Sequence, residues 1–171
     1  MQMIREEGAQ TLTLATLAAR AGVTKPVAYE HFQTREGLLV SLYQALDVRH
    51  TAAAKEALAR CTGSLHQTAN VIAAAYVDCA LEAGIEGAAI EIALAAIGAA
   101  DGVRHAQEAR YVDLYTQALR PFVRVPAENA RALMIALVGA SDALARDAAS
   151  GKTSRALAAT TLSGLIVQAL Q

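Results

Sequence analysis

Proline stands at only three of the 171 positions, 26, 121 and 126, so very little in this chain forbids helix. Alanine, the strongest intrinsic helix former, dominates a sequence that is 54% hydrophobic, 4% aromatic and 18% charged. No stretch reads as a convincing strand. The expectation is an all-α protein of about nine helices, separated by glycine, proline and capping hydroxyls rather than by long loops.

Residues 1–8 read as the end of a helix closed by Gly8, after which Thr11 and Thr13 offer N-cap hydroxyls to LATLAARAG. Leu14, Leu17, Ala18 and Ala21 make one apolar stripe, and Gly22 ends the helix where the backbone must turn left-handed. Thr24 then caps a second helix over 25–32, with Pro26 in its first turn, where a missing N–H costs nothing. A longer helix follows from near Thr34 to Cys61, with Leu38, Leu42, Ala45, Leu46 and Arg49 along its stripe. Ser64 caps the next, to about Ala83 by its periodicity. Gly84 and Gly87 precede a short helix over 88–100, and Asp101 caps another that reaches Arg120. Pro121 and Pro126 bracket a break, and helices over 127–149 and 153–170 complete the chain.

A formal net charge of −1 gives no global basic field, so any nucleic-acid contact must come from locally placed groups. Cys61 and Cys79 lack metal-binding spacing and read as thiols of a reducing cytoplasm. No apolar leader opens the chain and no apolar run is long enough to span a bilayer. Enzyme readings fare poorly. His31, His50, His66 and His105 are scattered, and a di-iron bundle would need two Glu-x-x-His units where only Asp47-x-x-His50 occurs. Neither a phosphate-cradling glycine loop nor a nucleophile elbow is present, so no cofactor, metal or catalytic residue is expected.

The helix pair over 14–32 meets the demands of a helix-turn-helix: a short first helix, a glycine corner and a second helix able to enter a major groove. Ala18 is small where the helices cross, Val23 and Ala28 face inward, and Thr24, Lys25, Val27 and Glu30 stay outside. The wording of TLATLAARAGVTKPVAYEHFQTREGLL resembles the DNA-binding segment of the tetracycline-repressor (TetR) family. Thr13, Ala21, Gly22, Val23, Thr24, Lys25, Tyr29, His31, Phe32, Arg35, Glu36 and Leu38 fall in register with that pattern. The resemblance implies phosphate contacts from Thr13, Tyr29, His31 and Arg35, with Thr24, Lys25, Pro26 and Val27 nearest the base edges and Phe32 as a core anchor. The family has a fuller helix ahead of this pair than residues 1–8 supply, so either the given sequence begins late, with a basic helical extension upstream, or the DNA-binding lobe is incomplete; the first is expected.

Beyond the pair, the last two helices are apolar around much of their circumference and small at Gly139, Ala140 and Gly164. In the family such a pair forms a four-helix bundle with its twofold mate. A homodimer through 127–170 is therefore expected, with Leu133, Leu137, Ser141 and Leu157 at its interface. Tyr76, Cys79, Glu91, Tyr111 and Tyr115 are polar or aromatic groups set in apolar surroundings, the make-up of a ligand pocket. The expected organisation is a DNA-binding domain over 1–46 and a ligand-binding and dimerisation domain over 47–171. The function implied is a regulator that leaves a near-palindromic DNA operator when a small-molecule effector binds. The alternative is a helical small-molecule binding protein without DNA-binding activity.

Overall fold

The computed structural model describes residues 1–61 and 63–171, with the Ala127 side chain left aside. Among the described residues it holds eight helices and no strand. They are α1 (Gln2–Glu7), α2 (Leu14–Ala21), α3 (Lys25–Phe32), α4 (Arg35–Ala59), α5 (Leu65–Ala96), α6 (Ala100–Leu119), α7 (Ala127–Ala149) and α8 (Arg155–Leu170).

Local chemistry sets most of these boundaries. Gly8 and Gly22 close α1 and α2 with φ of 82° and 68°, a backbone that glycine adopts without steric penalty. The Ser154 hydroxyl accepts from the Leu157 N–H and starts α8 at Arg155, two residues later than the spacing suggests. Thr24 precedes α3 in extended backbone, but its side chain makes no capping bond, so Pro26 and the Gly22 turn set the start of α3. Thr11 does not cap α2 either; its hydroxyl donates to the Gly8 carbonyl at 2.9 Å and closes α1 instead. Asp101 lies inside the first turn of α6 rather than at its cap, where a carboxylate still favours the positive end of the helix. The short helix expected over 88–100 is the second half of α5, set off by non-helical backbone at Gly84 (φ 50°, ψ −141°).

The chain divides into two compact units. The first takes in Met1–Val48 with Ala83–His105. Its core joins Met3 and Ile4 of α1, Leu14 and Ala18 of α2, Ala28 of α3, and Leu38, Leu39 and Tyr43 of α4 to Ile90, Ala93, Leu94 and Val103. Arg5 donates to the Glu86 carboxylate, and Arg20 to Glu6, tying α1 into the same unit. The buried edge of α4 runs through Leu39 and Tyr43, and Ala45 is exposed, so the stripe lies one position from the expected one.

The second unit takes in Arg49–Glu82 with Ala106–Gln171. Its core is built by Ala69, Ile72 and Ala73 of α5, Tyr111, Val112, Tyr115 and Leu119 of α6, Met134, Leu137 and Val138 of α7, and Leu162, Ile166 and Leu170 of α8. Helices α7 and α8 pack along one another. The first residue of α8, Arg155, grips Asp78 of α5 with two bonds of 2.5 and 2.6 Å. No helix among the described residues is long and apolar enough to cross a membrane.

Candidate nucleic-acid interface and apolar cavity

The outward surface of the α2–α3 pair follows from what its crossing buries. Ala18 and Ala28 are 1% and 4% exposed, so two side chains no larger than methyl let the helix backbones approach. Everything else at the start of α3 is then turned out: Thr24, Lys25, Pro26, Val27, Tyr29 and Glu30 are all exposed. Val27 and Tyr29 are half accessible, at 50% and 52%. Val23, expected inside, is 44% exposed and extends this surface, because the left-handed turn at Gly22 swings it outward. His31 is exposed, with its ring edge-on to Phe32 at 4.5 Å, and Phe32 packs half-buried against the core.

Thr13 is held by a reciprocal capping box. Its hydroxyl accepts from the Thr16 N–H at 3.1 Å, and its own N–H donates to the Thr16 hydroxyl at 2.9 Å. That N–H is therefore occupied, whereas by helix geometry the N–H groups of Leu14 and Ala15 have no partner one turn back. The Thr-x-x-Thr spacing is the sequence signal that would have singled out Thr16. Arg35 donates from Nε to the Leu12 carbonyl and from Nη2 to the Ala9 carbonyl, both at 2.9 Å, pinning the loop that presents Thr13.

At the far end of α3 the chain turns within one residue. Gln33 has φ 62° and ψ −52°, and the Thr34 N–H donates to the Phe32 carbonyl at 2.7 Å. Gly37 is required there, because a Cβ at that position would lie 2.2 Å from the Phe32 oxygen. The angle between α3 and α4 is thereby fixed by backbone contact.

The family model described as "Bacterial regulatory proteins, tetR family" matches residues 1–42. Over this segment the chain is similar to the TetR family. Three solved structures have the same fold. A TetR-family transcriptional regulator from Rhodococcus sp. superposes with a TM-score of 0.78 at 16% identity, over 98% of this chain and 92% of its own. A TetR-like transcriptional regulator from Rhodococcus sp. RHA1 gives 0.68 at 18% identity, over 99% and 90%. The fatty acid degradation regulator FadR from Bacillus halodurans gives 0.66 at 15% identity, over 99% and 95%. No curated protein matches the chain. The matched segment, residues 1–42, holds the α2–α3 pair whose outer face carries exposed Lys25, Val27 and Tyr29.

In the second unit, Tyr76, Cys79, Tyr111 and Tyr115 converge on one apolar cavity, together with Ala54, Leu58, Val71, Ile72, Ala75 and Leu114. Glu91 is not among them: it is exposed and belongs to the first unit, beyond the Gly84 break. The Tyr76 ring lies 4.7 Å from that of Tyr111 and 6.5 Å from that of Tyr115. The Ser141 hydroxyl donates to the Leu137 carbonyl at 2.7 Å, so the Tyr115 O–H is the donor in its 2.7 Å bond with Ser141. Burial pushes the Tyr115 phenol well above its ordinary range, against the opposing pull of Ser141, so it stays neutral.

The expected interface residues separate. Leu137 and Ser141 are 2% and 0% exposed, buried in their own unit. Leu133 is half-buried against the core, and only Leu157 stands out, at 60% exposure. The outward faces are instead Ala132, Ile135, Ala136 and Gly139 on α7, and Leu157, Thr161, Gly164 and Leu165 on α8.

Proposed function

We propose that this protein is a ligand-responsive transcriptional repressor, which binds a near-palindromic DNA operator as a homodimer and is released by a small-molecule effector. The observation that carries the DNA-binding part is the outward face of α3, where Lys25, Pro26, Val27 and Tyr29 are exposed on a helix whose buried residue is Ala28. With α3 in a major groove, Thr24 and Lys25 meet the first base edges, and Pro26 and Val27 pack on thymine methyls. Tyr29, His31 and the Thr13 hydroxyl contact phosphates, joined by the N–H groups at the start of α2. Arg35 acts chiefly by holding the Thr13 loop, with its remaining nitrogen left for a phosphate.

A second copy on the outward faces of α7 and α8 supplies the other half-site reader. Adding a Cβ at Gly139 or Gly164 meets nothing within 4 Å, so the chain's own packing does not demand glycine there. Close approach of a partner helix does. An effector in the second unit would change the spacing of two readers that must stay about 34 Å apart to match successive grooves. Its binding and operator binding then oppose each other by linkage.

A gel-shift titration on DNA upstream of the chain's own gene tests the interface. Lys25→Ala is expected to cost about 1–3 kcal/mol of binding and to relax the preference at the base pair it meets, and Tyr29→Phe to weaken binding on every sequence alike. If both variants bind like the parent at every salt concentration, α3 does not read DNA by this face.

A further inference from the structure

We infer that the effector of the cavity in the second unit is an uncharged, almost wholly hydrocarbon molecule of about one aromatic ring, an inference that rests on the ligand-responsive reading above. Three observations lead there. None of the ten lining residues carries a formal charge, and the wall turns no oxygen or nitrogen toward the enclosed space. The one fully buried phenol, Tyr115, has its proton committed to Ser141, which in turn donates to Leu137. A carboxylate, phosphate or ammonium entering this space would lose its hydration and gain no partner, so charged effectors are selected against. An uncharged hydroxyl is disfavoured for the same reason, less severely.

Size follows from which walls can move. The free space is about 10 Å³, room for no more than one water, so a ligand must displace a side chain. Ala54, Ile72, Tyr111, Leu114 and Tyr115 form a buried floor, whereas Leu58, Val71, Ala75, Tyr76 and Cys79 are half-buried and form the rim. Tyr76 is the large rim residue, and its ring already lies against Tyr111 at a tilt of 55°. A ligand ring that takes the place of the Tyr76 ring keeps the aromatic contact with Tyr111 and gains the Cys79 sulfur beside it. The occupant is thus matched in volume to one side-chain ring.

Calorimetric titration of the full chain with toluene, benzyl alcohol, benzoate and octanoate, paired with release of bound operator DNA, tests this. Toluene is expected to bind and raise Tm, benzyl alcohol to bind at least about tenfold more weakly, and benzoate and octanoate not to bind, as the loss of hydration without a partner dictates. Ala75→Leu, on the half-buried rim, is expected to abolish toluene binding with little change in Tm, and Tyr76→Ala to tighten it by removing the ring that must be displaced. Benzoate or octanoate binding that Ala75→Leu abolishes would overturn the neutral class while leaving a ligand-responsive second unit in place. Toluene binding indifferent to both substitutions overturns the assignment of the cavity. Failure of all four probes to bind the parent or Tyr76→Ala overturns the inference altogether.

Discussion

Gln33 and Gly37 together hold α3 by backbone geometry, and they respond oppositely to substitution. Gln33 sits at φ 62°, ψ −52°, a conformation that costs an L side chain energy and suits glycine. Gln33→Gly is expected to stabilise the chain by about 1 kcal/mol, the relief outweighing the added freedom of the unfolded chain. Gly37→Ala puts a methyl 2.2 Å from a carbonyl oxygen that belongs to backbone and cannot swing aside. It is expected to destabilise by about 1–3 kcal/mol, the range of overpacked sites. Thermal or denaturant melts of the two variants decide this, and shifts of the same sign would contradict the turn geometry. Neither residue's role was legible in the sequence. A glycine in a helix's first turn looks ordinary until the Phe32 carbonyl is placed beside it.

At the scale of the element, α2 shows what a sequence conveys well. Thr13, Gly22 and Pro26 act within one turn of themselves, so the limits of α2 and α3 could be read directly. The stripe of α4 was misplaced by one position because Leu38 and Leu39 are both apolar and both buried, and only the neighbouring helices decide which column continues. The proposed reading gives Thr13 two roles that substitution can separate. Thr16→Ala removes the reciprocal half of the capping box and is expected to lower stability by about 1 kcal/mol, leaving DNA affinity unchanged. Thr13→Ala is expected to lower stability similarly and also to weaken DNA binding at every salt concentration, because one phosphate loses a hydroxyl donor. Equal affinities for both variants would make Thr13 a cap alone.

Helix α1 responds to acid by the same local logic. The Glu6 carboxyl is held below its ordinary value, first by the Gln2 side chain and then by Arg20. Glu86 is lowered first by a bond from its own backbone N–H and then by Arg5. Both are depressed in the folded state, so their contribution is complete above the ordinary glutamate value, about 4.3, and fades as pH falls through the lower folded values. Hydrogen exchange of the α1 amides should keep constant protection down to that pH and lose it below. Glu6→Gln with Glu86→Gln should remove the pH dependence while leaving weaker protection throughout.

For the whole molecule, the question is which faces of α7 and α8 remain for a partner. A helix apolar all round does not announce which side its own core takes, so Leu137 and Ser141 could not be told from Ile135 and Gly139 by pattern. Burial assigns the first pair to the unit's own core and leaves the second pair, with Leu157, Gly164 and Leu165, outside. The proposed dimer therefore has a test with opposed signs. Gly164 is helical, and a Cβ there meets nothing within 4 Å, so Gly164→Leu is expected to stabilise the isolated chain by up to about 1 kcal/mol through helix propensity. In a homodimer packed on this face, the same leucine would hold the partner helix away. Light scattering should then show a monomer that stays folded by circular dichroism and binds operator DNA with the weakness of a single half-site. Leu137→Ala makes the control: it opens a cavity in the unit's own core and is expected to cost about 2–5 kcal/mol without a specific effect on association. A Gly164→Leu protein that remains dimeric would place the interface elsewhere.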